Sequence, residues 1–234
     1  MYSYFLYPAF ILAILFSFYA QIKVSKTFRR YADFHTQRGR MAADVAKNIL
    51  TSNGIHNVSV ERVPGNLTDH YDPRAKVLRL SDSVFSSSSA SAIGVAAHEA
   101  GHAVQHAVGY LPIKIRTSLV PITNFASRMS WIVILLGALI SIFAYASNIG
   151  YYMVMGGTAL FSVTALFQLV TLPCEFNASK RALVALRQSG NYTKEELAAS
   201  KEVLTAAALT YVAALFVTVI QVLRLLTIYG RRRR

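Results

Sequence analysis

The chain has 234 residues, 54% of them apolar and 15% charged, with a net charge of +13. A mean hydropathy of +0.39 with so few charges excludes a disordered chain, a collagen, a coiled coil and an ordinary water-soluble globule, which carries about 25% charge. The basic excess points to nucleic acid or an anionic membrane surface, the apolar excess selects the membrane, and a single cysteine, Cys174, excludes a disulfide framework and a Cys-rich zinc site.

No charged side chain occurs in residues 1–22, 129–174 or 203–223. A bilayer crossing needs about 20 apolar residues at about 1.5 Å each. Residues 1–22 therefore predict an N-terminal transmembrane anchor. It is expected to be retained, because no basic stretch precedes it and no small-x-small site comes before Lys23. Residues 23–128 predict a polar region. Within it Ala42, Val45, Ala46, Ile49 and Leu50 mark an amphipathic helix over 41–53, ended by Gly54. Val58, Val60 and Val63 mark a short strand. Thr68 to Pro73 reads as a turn. Lys76-Val77-Leu78-Arg79-Leu80 alternates as a half-buried strand does. If that strand lies at an edge, an extended substrate can add to it. Ser86 to Ser91 offers N-caps for a helix through Ile93, Val95, Ala96 and Ala97 to about Val108, with Gly109 as its stop.

The next charge-free run would be about 69 Å long as one helix, twice the depth of a bilayer. It predicts a transmembrane helical hairpin over 129–173, turning at Ala146-Ser147-Asn148-Ile149-Gly150. Residues 174–202 predict a polar helix, 203–228 a transmembrane or re-entrant segment, and 229–234 a basic tail. Lys23, Lys26, Arg29 and Arg30 follow the anchor. Lys114, Arg116 and Arg128 precede the hairpin, and Lys180, Arg181 and Arg187 follow it, while its turn has no charge. Both polar regions are thus expected on the cytoplasmic side of the cell membrane. Four crossings would put Arg231 to Arg234 outside, and a re-entrant last segment would not.

His98-Glu99-Ala100-Gly101-His102 is an H-E-x-x-H motif on the predicted 86–108 helix. Residues i and i+4 share a helix face, so two imidazoles there can reach one Zn²⁺. Glu99 lies one residue round, placed to act on water without binding the metal. The bland alternative is a helix with two ordinary surface histidines. It fits poorly with the Ala/Val/Gly run before them, since a buried unpaired Glu is costly. A catalytic zinc usually has three protein ligands. A third histidine six residues after His102 would fall on Val108, so the third ligand is expected to be a carboxylate on a later helix. No acidic residue stands between Glu99 and Glu175, and Glu175 follows the second hairpin arm, where a charge is a functional candidate. The competing role for Glu175 is a helix-start carboxylate after Pro173, favoured by the macrodipole. His106 can serve either as a group behind the ligands or as a plain polar helix position. His70 and Tyr71 can donate to an oxyanion or merely shape the turn. Cys174 reads as a small core residue, and Gly94 and Gly101 as points of close helix packing.

The motif residues 98–102, Leu67 to Arg74 with Val77-Leu78-Arg79-Leu80-Ser81, and Glu175-Phe176-Asn177-Ala178-Ser179 together resemble the YugP-like family of neutral zinc metallopeptidases, over nearly the whole chain. More distantly they are similar to HtpX-type and CAAX-prenyl-type membrane gluzincins, whose E-F-x-A-D motif has Ser179 in place of its Asp here. The resemblance supports Glu175 as a ligand and implies a peptidase of bacterial type. The expected fold is mostly α, a multi-pass membrane protein with an α+β, zincin-like cytoplasmic region containing a short β-hairpin or strand and the H-E-x-x-H helix. The expected activity is peptide-bond hydrolysis, with one Zn²⁺ held by His98, His102 and Glu175 activating water and Glu99 as general base. Its partners are the lipid bilayer and a peptide or membrane-protein substrate, without nucleic acid. A zinc-stabilised membrane scaffold without peptidase activity, and a basic protein binding nucleic acid or anionic lipid, are the competing classes.

Overall fold

The computed structural model describes residues 2–143 and 148–230. In chain order they form α1 (Tyr2–Arg30), α2 (Ala42–Ser52), β1 (Ser59–Val63), β2 (His70–Asp72), β3 (Val77–Ser81), α3 (Asp82–Phe85), α4 (Ala90–Ala107), α5 (Leu111–Phe143), α6 (Ile149–Gln188) and α7 (Lys194–Gly230). The described residues are mostly helical, with one small sheet. Among the described residues four helices are long and apolar enough to cross a membrane: Phe5–Arg30, Leu111–Phe143, Ile149–Gln188 and Lys194–Tyr229. The chain divides into two compact units. One comprises Met1–Tyr19, Ile115–Thr171 and Tyr211–Arg234; the other comprises Ala20–Lys114 and Leu172–Thr210.

The first unit is helical. Small residues let α5 and α6 approach closely: a Cβ on Gly137 would stand 2.8 Å from the Gly150 carbonyl oxygen, and one on Gly157 2.6 Å from Ile134 Cγ1. Ile132, Leu135 and Phe143 of α5 and Leu166 of α6 are exposed. On α7 the Arg224 guanidinium lies 4.3 Å from the ring of Phe10 and 5.7 Å from that of Tyr7, so aromatic faces of α1 cover the cation. The expected hairpin turn falls partly on Ala146 and Ser147, which lie outside the described residues, as does the Arg231–Arg234 part of the tail; α6 begins at Ile149.

The second unit carries the sheet and a core. Ala42, Val45, Ala46, Ile49 and Leu50 bury the inner face of α2, matching their helical spacing. They meet Leu78 and Leu80 of β3, Val84 of α3, Ile93, Ala96, Ala97, Ala100 and Val104 of α4, and Ala182 and Leu186 of α6. Each large aliphatic side chain buried there contributes about 1.5–3 kcal/mol. The α4 face toward this core is rich in alanine, and glycines on α4 let neighbouring backbones come close. A Cβ on Gly94 would lie 3.4 Å from the Ser200 backbone of α7.

The strand order is β1-β3-β2, with β1 parallel and β2 antiparallel to β3. This corrects two expectations. Residues 68–73 are not simply a turn, because His70–Asp72 pair with Arg79–Val77 as an edge strand. The turn chemistry acts one step later. Asp72 Oδ1 accepts from the backbone N–H of Arg74 at 2.9 Å and of Ala75 at 3.1 Å, closing the hairpin into β3. These N–H groups, with Arg79 beside them, hold the Asp72 carboxyl below the ordinary carboxylate value. Second, β3 is the central strand, with buried Leu78 and Leu80 and partners on both sides. Its backbone groups are committed, so it offers no edge to a substrate. Two helix boundaries also differ. α5 starts at Leu111, well before residue 129. α6 runs unbroken through Pro173, so Glu175 lies inside a long helix rather than at a helix start.

Candidate metal centre

Ser89 caps α4, its hydroxyl accepting from the Ala92 N–H at 3.3 Å. Two turns on, His98 and His102 stand one above the other, rings edge to face at 4.7 Å. Gly101 lies between them in sequence and is the point where α6 presses on α4. A Cβ there would come within 2.7 Å of the Ala178 carbonyl oxygen. Only glycine permits that approach, and the approach brings Glu175, one turn before Ala178, against the histidines. Glu175 Oε2 lies 3.1 Å from His98 Nε2 and 3.6 Å from His102 Nε2. Among the described residues these three form the one group of His, Cys, Asp or Glu side chains arranged to hold a metal, their ligand atoms all within 4.8 Å of one another. Glu175 and His102 are buried and His98 is half-buried.

The spacing suits zinc. Ligands at about 2.0–2.1 Å in a tetrahedron stand about 3.3 Å apart, and the two observed separations bracket that value. Two imidazole nitrogens and one carboxylate oxygen are also an ordinary zinc donor set.

The groups behind the ligands fix how the histidines present themselves. Arg181 Nε, which can only donate, gives its hydrogen to Asn177 Oδ1 at 2.7 Å. That oxygen also accepts from Gln105 Nε2 at 3.0 Å, and Gln105 Nε2 donates to the Cys174 carbonyl at 2.8 Å as well. Gln105 Oε1 must then be the atom facing His102 Nδ1, 3.0 Å away. It can only accept, so His102 carries a proton on Nδ1, and Nε2 is the atom turned toward Glu175. His98 Nδ1 lies 3.1 Å from Ser179 Oγ. Ser179 thus occupies the position behind His98.

Glu99 is half-buried and makes no hydrogen bond or ion pair among the described residues. The nearby Asp69 carboxylate is anchored by the Ser81 N–H at 2.8 Å and the Ser81 hydroxyl at 2.9 Å. Burial pushes the Asp69 carboxyl above its ordinary value, and the charge of Glu99 adds to that. Tyr71 on β2 packs against His106, ring centroids 5.6 Å apart, and burial raises its phenol. His70 is exposed, with Nδ1 2.8 Å from the Thr68 carbonyl oxygen. Neither His70 nor His106 belongs to the group of three around Glu175. Cys174 is buried and serves the site through its carbonyl. Gln105, Asn177 and Arg181 escape a reading from sequence alone. Their helical spacings, i+3 from His102 and i+4 between Asn177 and Arg181, are visible, but nothing in one chain shows that α4 and α6 face each other there.

A helix-borne pair of histidines closed by a carboxylate from a second helix is the arrangement of a zinc hydrolase. The chain matches the family described as "Putative neutral zinc metallopeptidase" over residues 6–230, and it belongs to that family. It is 43% identical over 220 residues, 94% of this chain and 94% of the relative, to a Bacillus subtilis (strain 168) protein named "Putative membrane protease YugP". No solved structure matches it.

Proposed function

We propose that the protein is a multi-pass membrane zinc endopeptidase of gluzincin type with a zincin-like catalytic region on the cytoplasmic face of a bacterial cell membrane. The observation that carries this is the convergence of His98 Nε2, His102 Nε2 and Glu175 Oε2 with both Nδ1 atoms engaged behind them. Those three residues would hold the zinc. Bound there, zinc supplies Lewis acidity, making water a nucleophile at neutral pH and polarising a peptide carbonyl. The chain does the rest. The Glu99 carboxylate, free of other partners, takes the proton of the attacking water and returns it to the leaving amine. Glu175 and the two neutral histidines hold net charge −1 against the metal, and Ser179 and Gln105 keep the rings from rotating. An extended peptide adds to the outer edge of β2, which packs on α4, instead of to the buried β3.

In this topology α1, α5, α6 and α7 each cross the bilayer, joined as the anchor, the 129–173 hairpin and the 203–228 segment, with 23–128 and 174–202 on the basic, cytoplasmic side. An unbroken α7 about 55 Å long favours crossing over re-entry. The test is metal analysis with casein and membrane-protein cleavage in detergent, on wild type and Glu99→Gln. Zinc in both and cleavage only in the wild type is the expected result. Zinc in both with no cleavage in either makes the protein a zinc-stabilised scaffold.

A further inference from the structure

The hydrogen-bond chain behind His102 ends on Arg181, and Arg181 borders a cleft. The cleft, of about 290 Å³, is lined by residues of α2, α4 and α6. Ile49, Val104 and Val184 give it apolar walls, and Lys180 and Arg181 give it two adjacent cations. Among the described residues neither cation has a carboxylate within ion-pair distance. Two uncompensated charges at consecutive positions repel, and Arg181 is half-buried, so an anion between them is favoured. Arg181 commits only Nε, to Asn177. Its Nη1 and Nη2 donors stay available in the fork geometry that fits phosphate oxygens. The cleft is far larger than the about 30 Å³ of one water, so it has room for a phosphate with an apolar flank attached. The charge-free stretch of α6 ends at Cys174 and Lys180 follows six residues on, about 9 Å along the helix. Basic side chains at that distance from an apolar stretch meet lipid headgroups.

We propose that this cleft binds the phosphate of an anionic phospholipid, and that occupancy tightens the zinc site through Arg181, Asn177, Gln105 and His102. The second half rests on the metal assignment of the preceding section; the first does not. A phosphate on Nη1 and Nη2 offsets the Arg181 charge, so the guanidinium withdraws less from the amide chain. Gln105 Oε1 then accepts more strongly from His102 Nδ1–H, and Nε2 becomes a better donor to a metal.

The experiment titrates the full-length protein in detergent with dihexanoyl phosphatidylglycerol, dihexanoyl phosphatidylcholine and inorganic phosphate. Binding is read by calorimetry and zinc affinity by competition with a chelator. Saturable binding of phosphatidylglycerol, weakened about tenfold or more in a Lys180→Gln/Arg181→Gln double variant, is expected. So is a zinc affinity that rises with this lipid in the wild type. In Arg181→Lys, which keeps the charge but neither the fork nor the planar donor set to Asn177, the lipid should still bind through the two cations, more weakly, while zinc affinity no longer responds. Gln105→Leu should give the same separation. Lipid binding indifferent to the double variant overturns the site. Inorganic phosphate binding as tightly as the lipid overturns the lipid assignment, and zinc coupling that survives in both relay variants overturns the relay. A protein that takes up no zinc at all refutes the metal centre alone, since the lipid titration is read without it.

Discussion

Gln105 is wholly buried and stands outside the group of three around Glu175. Its value lies in direction: with both amide hydrogens taken by Cys174 and Asn177, it can only accept from His102. Gln105→Leu keeps the volume and removes that constraint. It removes the hydrogen bonds to His102 Nδ1, the Cys174 carbonyl and Asn177 Oδ1, at a cost of about 1–3 kcal/mol. Zinc affinity should fall about 10- to 100-fold, measurable by chelator competition. Glu175→Ala goes further, removing the acidic member of the triad. That variant should lose most of its zinc while staying in the membrane fraction, and full zinc occupancy would take Glu175 out of the site. The three residues of the candidate site were legible in the sequence because helical spacing and the scarcity of acids single them out. The supporting residues were not, since Gln, Asn and Arg occur on any helix, and only the meeting of α4 with α6 gives these three a purpose.

β3 shows where alternation alone misleads. Val77 to Leu80 has the period of a strand with one wet face, but Arg79 is shielded by Asp72 at 3.2 Å and by flanking strands on both sides. An edge strand and a central strand with one polar side chain have the same pattern. Leu78→Pro therefore removes a ladder hydrogen bond on the inside of the sheet and places a ring in the core. Limited proteolysis should show the polar unit opened, with zinc lost alongside activity. A folded, zinc-loaded Leu78→Pro protein would contradict the strand order. Gly101→Ala probes the helix pair in the same way. The new methyl would collide with the Ala178 carbonyl, so α6 must retreat or α4 must shift, at about 1–3 kcal/mol. Thermal unfolding should report that loss, and the displaced Glu175 should show as weaker zinc retention. α2 and α4 were readable from their apolar spacing and caps. The run of α6 through Pro173 was not, because proline normally marks a boundary. Here it removes one hydrogen bond without ending the helix.

For the whole molecule, the proposed topology makes a simple prediction. Reporter fusions or cysteine labelling should find residue 60 on the cytoplasmic side and residue 149 on the outside. A reporter at residue 60 that is active outside would invert the arrangement and turn the protease toward the cell surface. Charge counting gave this orientation without any fold, because loop lysines and arginines act on insertion directly. The division into two units was hidden from it. Each unit is assembled from separated stretches of chain, and charge-free runs show where helices are apolar without showing which of them associate.

The unit that holds the triad is interrupted in sequence between Lys114 and Leu172. On the ribosome, His98 and His102 are therefore finished well before Glu175 exists, and all of α5 and most of the apolar part of α6 are made in between. Under the proposed topology those are the segments handed to the membrane. Until Glu175 is made, a nascent chain has the two histidines without the carboxylate, so the proposed zinc site is incomplete. Any fragment ending before residue 175 is incomplete in the same way. If the chain is the peptidase proposed above, the order of synthesis withholds the carboxylate of its metal site until the segments bound for the membrane have been made.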